Sequence, residues 1–149
     1  MTERPVIIVG VDDSPTSRRA LSWALADAQR LDAAVEAVTT YHEADGEAAR
    51  ERAQVVQDAL VAEAVASFTD PAPPVASLVM EGDPVDVLTL LSGHAYVLVM
   101  GRHSTVGLRH SADSSTAERV ARLAECPVTI VPGSPVWHDH DEMATRQVS

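Results

Sequence analysis

The stretch Val6-Ile7-Ile8-Val9-Gly10-Val11-Asp12-Asp13-Ser14-Pro15 decides the fold. Its first six residues are an unbroken apolar run rich in β-branched side chains. Such a run, without polar alternation, reads as a strand buried on both faces. The run stops at an acidic pair. Ser14 then supplies an N-cap and Pro15 a first-turn proline, a pairing that opens helices. Ala20, Leu21, Ala24, Leu25, Ala28 and Leu31 follow at helical spacing, which predicts a helix of about four turns.

The rest of the chain repeats this unit. Ala34 to Thr40 reads as a second strand, interrupted by Glu36, and Tyr41 to Gly46 as the loop after it. Residues from Glu47 to Phe68 read as an alanine-rich helix with Val56, Leu60, Ala64 and Ser67 on one stripe. The run Asp70-Pro71-Ala72-Pro73-Pro74 cannot continue that helix, because proline lacks the amide donor and restricts the residue before it. Val75 to Met80 is a third strand. Asp83-Pro84 repeats the cap-plus-proline start for a helix ending near Gly93. Ala95 to Met100 is a fourth strand, Ser115-Thr116-Ala117-Glu118 fits a capping box opening a helix through Glu125, and Pro127 to Val131 is a fifth strand. Alternation of this kind gives a doubly wound α/β domain, a five-stranded parallel sheet with four helices on its two faces. That domain is expected to span residues 1–133, with 134–149 as a flexible polar tail. Ligands of such sheets bind outside the carboxyl ends of the strands, here Asp12-Asp13, Thr39 to Tyr41, Glu81-Gly82 and Gly101 to Ser115.

Composition narrows the chemistry. A chain of 149 residues suits one domain. Its formal net charge of -11 argues against nucleic acid or an anionic membrane surface as a partner. All 11 basic residues are arginine, which removes the P-loop lysine, the Schiff-base lysine and every other lysine mechanism. Aromatic residues make up 3% of the chain, so bases find no stacking platform. No targeting segment or membrane span is evident, which leads to an expectation of a cytoplasmic protein.

Two candidate sites stand out. The pair Asp12-Asp13 resembles the magnesium-binding acids of a phosphoacceptor receiver domain. That chemistry also needs an aspartate after the third strand and a lysine after the fifth, and this chain has Met80-Glu81 and no lysine. The plain alternative is that Asp13 or Ser14 caps the helix and Asp12 is a polar strand end. The second candidate is the loop from Gly101 to Ser115, longer than the usual connection of about 2 to 6 residues. Arg102, His103, Arg109 and His110 accompany a single acid, Asp113. Local positive charge beside a helix N-terminus suits an anion such as phosphate; equally, Ser115 is only an N-cap and the basic residues are a solvated loop. Elsewhere, Cys126 reads as an inert thiol beside Pro127, and His138-Asp139-His140-Asp141 lacks the three or four fixed ligands of a metal site. No Gly-x-Ser-x-Gly elbow is present, so no catalytic residue and no metal ligand is assigned. An enzyme of other chemistry would have to pair Asp12 or Asp13 with His103 or His110.

Four segments in register, Val9 to Ser17, Glu81-Gly82-Asp83-Pro84, Val97 to Gly101 and Cys126 to Pro132, resemble the universal stress protein family over residues 3–133. The resemblance implies a Rossmann-like, adenine nucleotide alpha hydrolase-like fold with strand order 3-2-1-4-5. It also implies a role in stress response as a binding or regulatory module, and a homodimer formed through the last strand, Pro127 to Val131. Members that bind ATP carry the pattern G-x2-G-x9-G-[ST] after the fourth strand. Here those positions read Gly101, Ser104, Ser114 and Ser115, so the outer two match and serine replaces both inner glycines. By the same resemblance Asp12 matches a nucleotide-contacting residue, and the backbone near Val38 and Thr39 flanks adenine. The sequence therefore leans toward the branch typified by universal stress protein A, which has lost these glycines and does not bind ATP, with a member that binds ATP or AMP and has slow ATPase activity as the alternative.

Overall fold

The structure is a computed structural model that describes residues 4–68, 71–102 and 116–133. Its elements run β1 (Val6–Gly10), α1 (Pro15–Leu31), β2 (Ala34–Tyr41), α2 (Ala49–Ala66), β3 (Val75–Glu81), α3 (Pro84–Leu91), β4 (Val97–Gly101), α4 (Thr116–Leu123) and β5 (Val128–Val131). All the pairings are parallel and the strand order is β3-β2-β1-β4-β5, as the resemblance implied. The apolar run therefore occupies the sheet centre. Ile7 and Val9 pair with Val35 and Ala37 on one side and with Val97 and Val99 on the other. Ile7, Ile8 and Val9 have no exposed surface at all.

Strand alternation divides the core in two. Ile7, Val9, Val35, Ala37, Val97 and Val99 face α1 and α2, meeting Leu21, Leu25 and Leu60. Ile8, Val38, Leu98 and Met100 face α3 and α4, meeting Val85, Leu88 and Val120. Small residues on α1, Ala20, Ala24 and Ala28, let that helix lie close on the sheet, and each is fully buried.

Element ends differ from expectation by one or two residues, with three informative exceptions. The stripe of α2 is Ala49, Gln57, Leu60 and Ala64; Val56 is only half-buried and Ser67 is exposed. Ser67 instead donates its hydroxyl to the Glu63 carbonyl at 3.1 Å, closing the end of the helix. The loop after β2 contains a single 3-10 turn, Glu43–Asp45. The third helix stops at Leu91, and a second 3-10 turn, Ser92–His94, leads into β4. The Ser115 half of the proposed capping box, and the tail 134–149, lie outside the described residues.

Candidate functional site

A pocket of about 120 Å³ opens at the carboxyl ends of β1, β2 and β4, where the chain order in the sheet reverses. Its two halves differ in chemistry. Val38, Leu88, Met100 and Pro84 with Gly10 form an apolar half. Asp12, Ser14, Thr16, Ser17 and Thr116 form a polar half. The starts of α1, α3 and α4 all border it.

Asp12 is more than a polar strand end. Its Oδ1 accepts the Ser14 N–H at 2.8 Å and the Ser17 hydroxyl at 2.9 Å. The same Ser17 oxygen accepts the Asp12 N–H at 2.7 Å, which closes a ring that ties the β1 end to the first turn of α1. Ser14 holds the cap position in extended conformation but makes no side-chain cap bond; its hydroxyl lies 3.2 Å from that of Thr16. Asp12 thus closes an Asx-turn onto the Ser14 amide just ahead of the helix, while the α1 cap position itself stays with Ser14. At α3 the expectation is met directly: Asp83 accepts from the Val85 and Asp86 amides at 3.0 and 3.4 Å.

Gly101 closes the pocket floor where β4 ends. A β-carbon there would stand 2.6 Å from Thr16 Oγ1, 2.7 Å from Thr16 Cβ and 2.8 Å from the Thr16 carbonyl oxygen. A β-carbon on Gly133 would meet Thr16 Cγ2 at 2.9 Å. The first turn of α1 therefore sits directly on two glycines, and the close approach requires both. Just beyond, the Arg102 amide donates to the Val131 carbonyl at 2.8 Å and Arg19 Nε donates to the Pro132 carbonyl at 2.9 Å.

Among the residues anticipated from sequence, Asp12, Val38 and Gly101 line the pocket. The Thr39 side chain points to the opposite sheet face, where its hydroxyl accepts from Gln57 Nε2 at 3.0 Å. Thr40 takes its place in the wall; counting the period of two from Val38 identifies it. Ser104, Ser114 and Ser115 lie outside the described residues, as do His103 and His110. The pocket also takes in Thr16, Ser17, Leu88 and Met100, to which no sequence pattern assigns a site role.

Cys126 is half-buried and burial pushes its thiol above the ordinary value, with a backbone hydrogen bond to Leu98 opposing. That is the electronic setting of an unreactive thiol. Among the described residues no three His, Cys, Asp or Glu side chains cluster so as to hold a metal ion.

Comparison with known families matches residues 4–132 to the model of the universal stress protein family. Among solved structures, a universal stress protein in complex with cAMP is 24% identical, with 89% of this chain and 100% of that one covered and a TM-score of 0.73. A member of the universal stress protein family from Burkholderia pseudomallei is 27% identical, with coverage of 86% and 96% and a TM-score of 0.64. The universal stress protein from Archaeoglobus fulgidus in complex with dAMP is 19% identical, with coverage of 88% and 99% and a TM-score of 0.64. Comparison with curated proteins finds no match.

Proposed function

This chain belongs to the universal stress protein family, and on that premise we propose that it is a cytoplasmic binding and regulatory module of stress adaptation whose crevice takes an adenine nucleotide with a short phosphate chain. The division of the pocket into an apolar and a hydroxyl-rich half carries this reading. An adenine ring needs an apolar slot, supplied by Val38, Leu88 and Met100, with the β2 backbone at Val38 and Thr39 along its edge. A ribose and phosphate need acceptors, hydroxyls and helix-terminal amides, supplied by Asp12, Thr16, Ser17 and Thr116. Asp12 Oδ1 is occupied by Ser14 and Ser17, which leaves Oδ2 for the sugar.

Phosphate is held without lysine, by amides, hydroxyls and guanidinium groups. By the family resemblance Gly101, Ser104, Ser114 and Ser115 stand at the positions of the phosphate pattern, and serine in place of its two inner glycines favours a short phosphate chain over a polyphosphate. AMP is therefore favoured over ATP. Relatives of the same fold in complex with cAMP and dAMP support the choice of ligand class. The chain is denatured after purification and the released nucleotide identified; calorimetric titration with AMP, cAMP and Mg-ATP follows. Binding of AMP tighter than Mg-ATP is expected. Absence of released nucleotide together with no heat from any of the three overturns the reading and leaves a module that acts through a protein partner alone.

The same module is a homodimer formed through Pro127 to Val131. Strand β5 is a sheet edge with Val128, Thr129 and Ile130 only half-buried, and an edge of this kind invites pairing with another strand. Light scattering over a dilution series tests it, and a monomer at all concentrations refutes it.

A further inference from the structure

We propose that Gln57 is a positioning residue that holds the β2 wall of the crevice from behind, so that nucleotide affinity depends on its amide. The affinity part rests on the adenine-nucleotide reading above.

Gln57 lies near the middle of α2 and has no exposed surface. Its Nε2 is 2.9 Å from the Ala37 carbonyl, 3.0 Å from Thr39 Oγ1 and 3.0 Å from the Leu78 carbonyl. Two amide protons are thus shared among three acceptors on β2 and β3. Strand alternation puts Ala37 and Thr39 toward α2 and sends Val38 and Thr40 into the crevice. The amide therefore grips the residues on either side of Val38. The Val38 carbonyl in turn accepts the Val11 N–H at 2.8 Å, and Val11 precedes Asp12, so a shift of β2 at this level reaches the polar half of the pocket.

Core stability alone does not call for glutamine here. Gln57 Oε1 has no hydrogen-bond donor among the described residues, an unmet buried acceptor that an aliphatic residue would not carry, although it would also strip the donor from the Ala37 and Leu78 carbonyls and from the buried Thr39 hydroxyl. What an aliphatic residue lacks is the donor to β2 and β3. Helix α2 also packs on the sheet through partly buried apolar side chains, Val56, Val61 and Val65. Its other buried residues are Ala49, Leu60 and Ala64. Arg50 adds polar contacts at the same strand ends, to Tyr41 Oη at 3.3 Å and the Val79 carbonyl at 3.4 Å.

The test compares wild type, Q57M, Q57L and L60A in the full chain, by AMP titration, thermal melting and amide hydrogen exchange. Both Gln57 variants keep the volume and delete the amide. Each is expected to weaken AMP binding about fivefold, the equivalent of one ordinary hydrogen bond. Exchange is expected to speed up at Val11 and Gly82, whose amides bond to β2 carbonyls at the crevice end, and not at Ala34 and Val35 at the far end. L60A lowers the melting temperature and leaves both affinity and crevice exchange near wild type. If Q57M and Q57L match wild type in affinity and exchange, the proposal is overturned. It is equally overturned if they lose affinity only in step with stability, as L60A then would too. If wild type takes up no AMP, the ligand reading has failed by itself, and exchange at Val11 and Gly82 alone decides whether Gln57 holds the wall.

Discussion

Replacing Gly101 with alanine tests whether this glycine is kept for packing or for a ligand. The added β-carbon would lie 2.6 to 2.8 Å from three atoms of Thr16, one of them a backbone carbonyl oxygen. Ordinary carbon contacts begin near 3.5 Å, so an overlap approaching 1 Å must be relieved by moving the first turn of α1 or the end of β4. Neither moves freely. Thr16 is buried, the Asp12 ring pins the preceding turn, and β4 is paired on both sides. Overpacking typically costs about 1 to 3 kcal/mol, and a clash with backbone belongs at the upper end. For a domain of this size about 3 kcal/mol lowers the melting temperature by about 6 to 12 °C. Differential scanning calorimetry and urea unfolding read the loss directly. Measured in a T16G background, where the β-carbon and hydroxyl are gone but the carbonyl remains, G101A should cost about half as much, a coupling that a double-mutant cycle isolates. A G101A protein that melts within about 1 °C of wild type would refute the packing account. If such a protein also lost nucleotide, the glycine would be serving the ligand.

Other substitutions follow from the same geometry. D83A deletes two cap bonds to α3 and should cost about 1 kcal/mol in urea unfolding, whereas S14A, which removes a residue with no side-chain cap bond, should cost under about 0.5 kcal/mol. D12A opens the ring with Ser14 and Ser17 and should cost about 1 to 2 kcal/mol, while D12N, which keeps an acceptor oxygen at Oδ1, should lose less. The Cys126 thiol is held above its ordinary value of 9.0 by burial, so iodoacetamide should alkylate it more slowly in the folded chain than in urea at pH 8. Because the folded pKa is the higher one, its contribution to stability is intact below the ordinary thiol value and declines as pH rises through the folded value. A C126A variant should flatten that alkaline decline, and identical pH profiles would count against it.

The sheet was legible because its signal is long and redundant. Five apolar segments, each closed by a polar turn, leave a parallel α/β arrangement as the one that buries them all. Their lateral order was not contained in any one of them; it came from the motifs shared with a family. Helix faces were read less well where a polar residue lay inside. Gln57 has no place on the expected stripe of α2, Val56, Leu60, Ala64 and Ser67, and only the placement of the Ala37 and Leu78 carbonyls shows that its amide has partners in the core. The N-cap of α1 is Ser14, as the Ser-Pro pattern predicts, but the hydrogen bonds around it were not legible. Ser-Pro is a strong local pattern, but the hydrogen bonds went to Asp12 through Ser17, five residues apart in sequence.

The phosphate pattern illustrates how packing and binding leave the same mark on a sequence. Gly101 matches the first glycine of that pattern, and an alignment of letters would count it toward nucleotide binding. Its lack of a side chain is already required by Thr16, in the absence of any ligand. Ser104 and Ser114 depart from the pattern, and the capping-box reading accounts for a serine at Ser115 as well. The case for a nucleotide therefore rests on the walls more than on the motif: an apolar half built from Val38, Leu88 and Met100 facing a polar half anchored by Asp12. Val38 and Met100 are placed by strand alternation, Leu88 by the second turn of α3, and Asp12 by the turn that follows β1. A variant that spoils the apolar half without touching the loop, such as M100E, should accordingly abolish AMP uptake even with Gly101 and Ser115 intact, because a carboxylate in that half would have to be desolvated against an adenine ring.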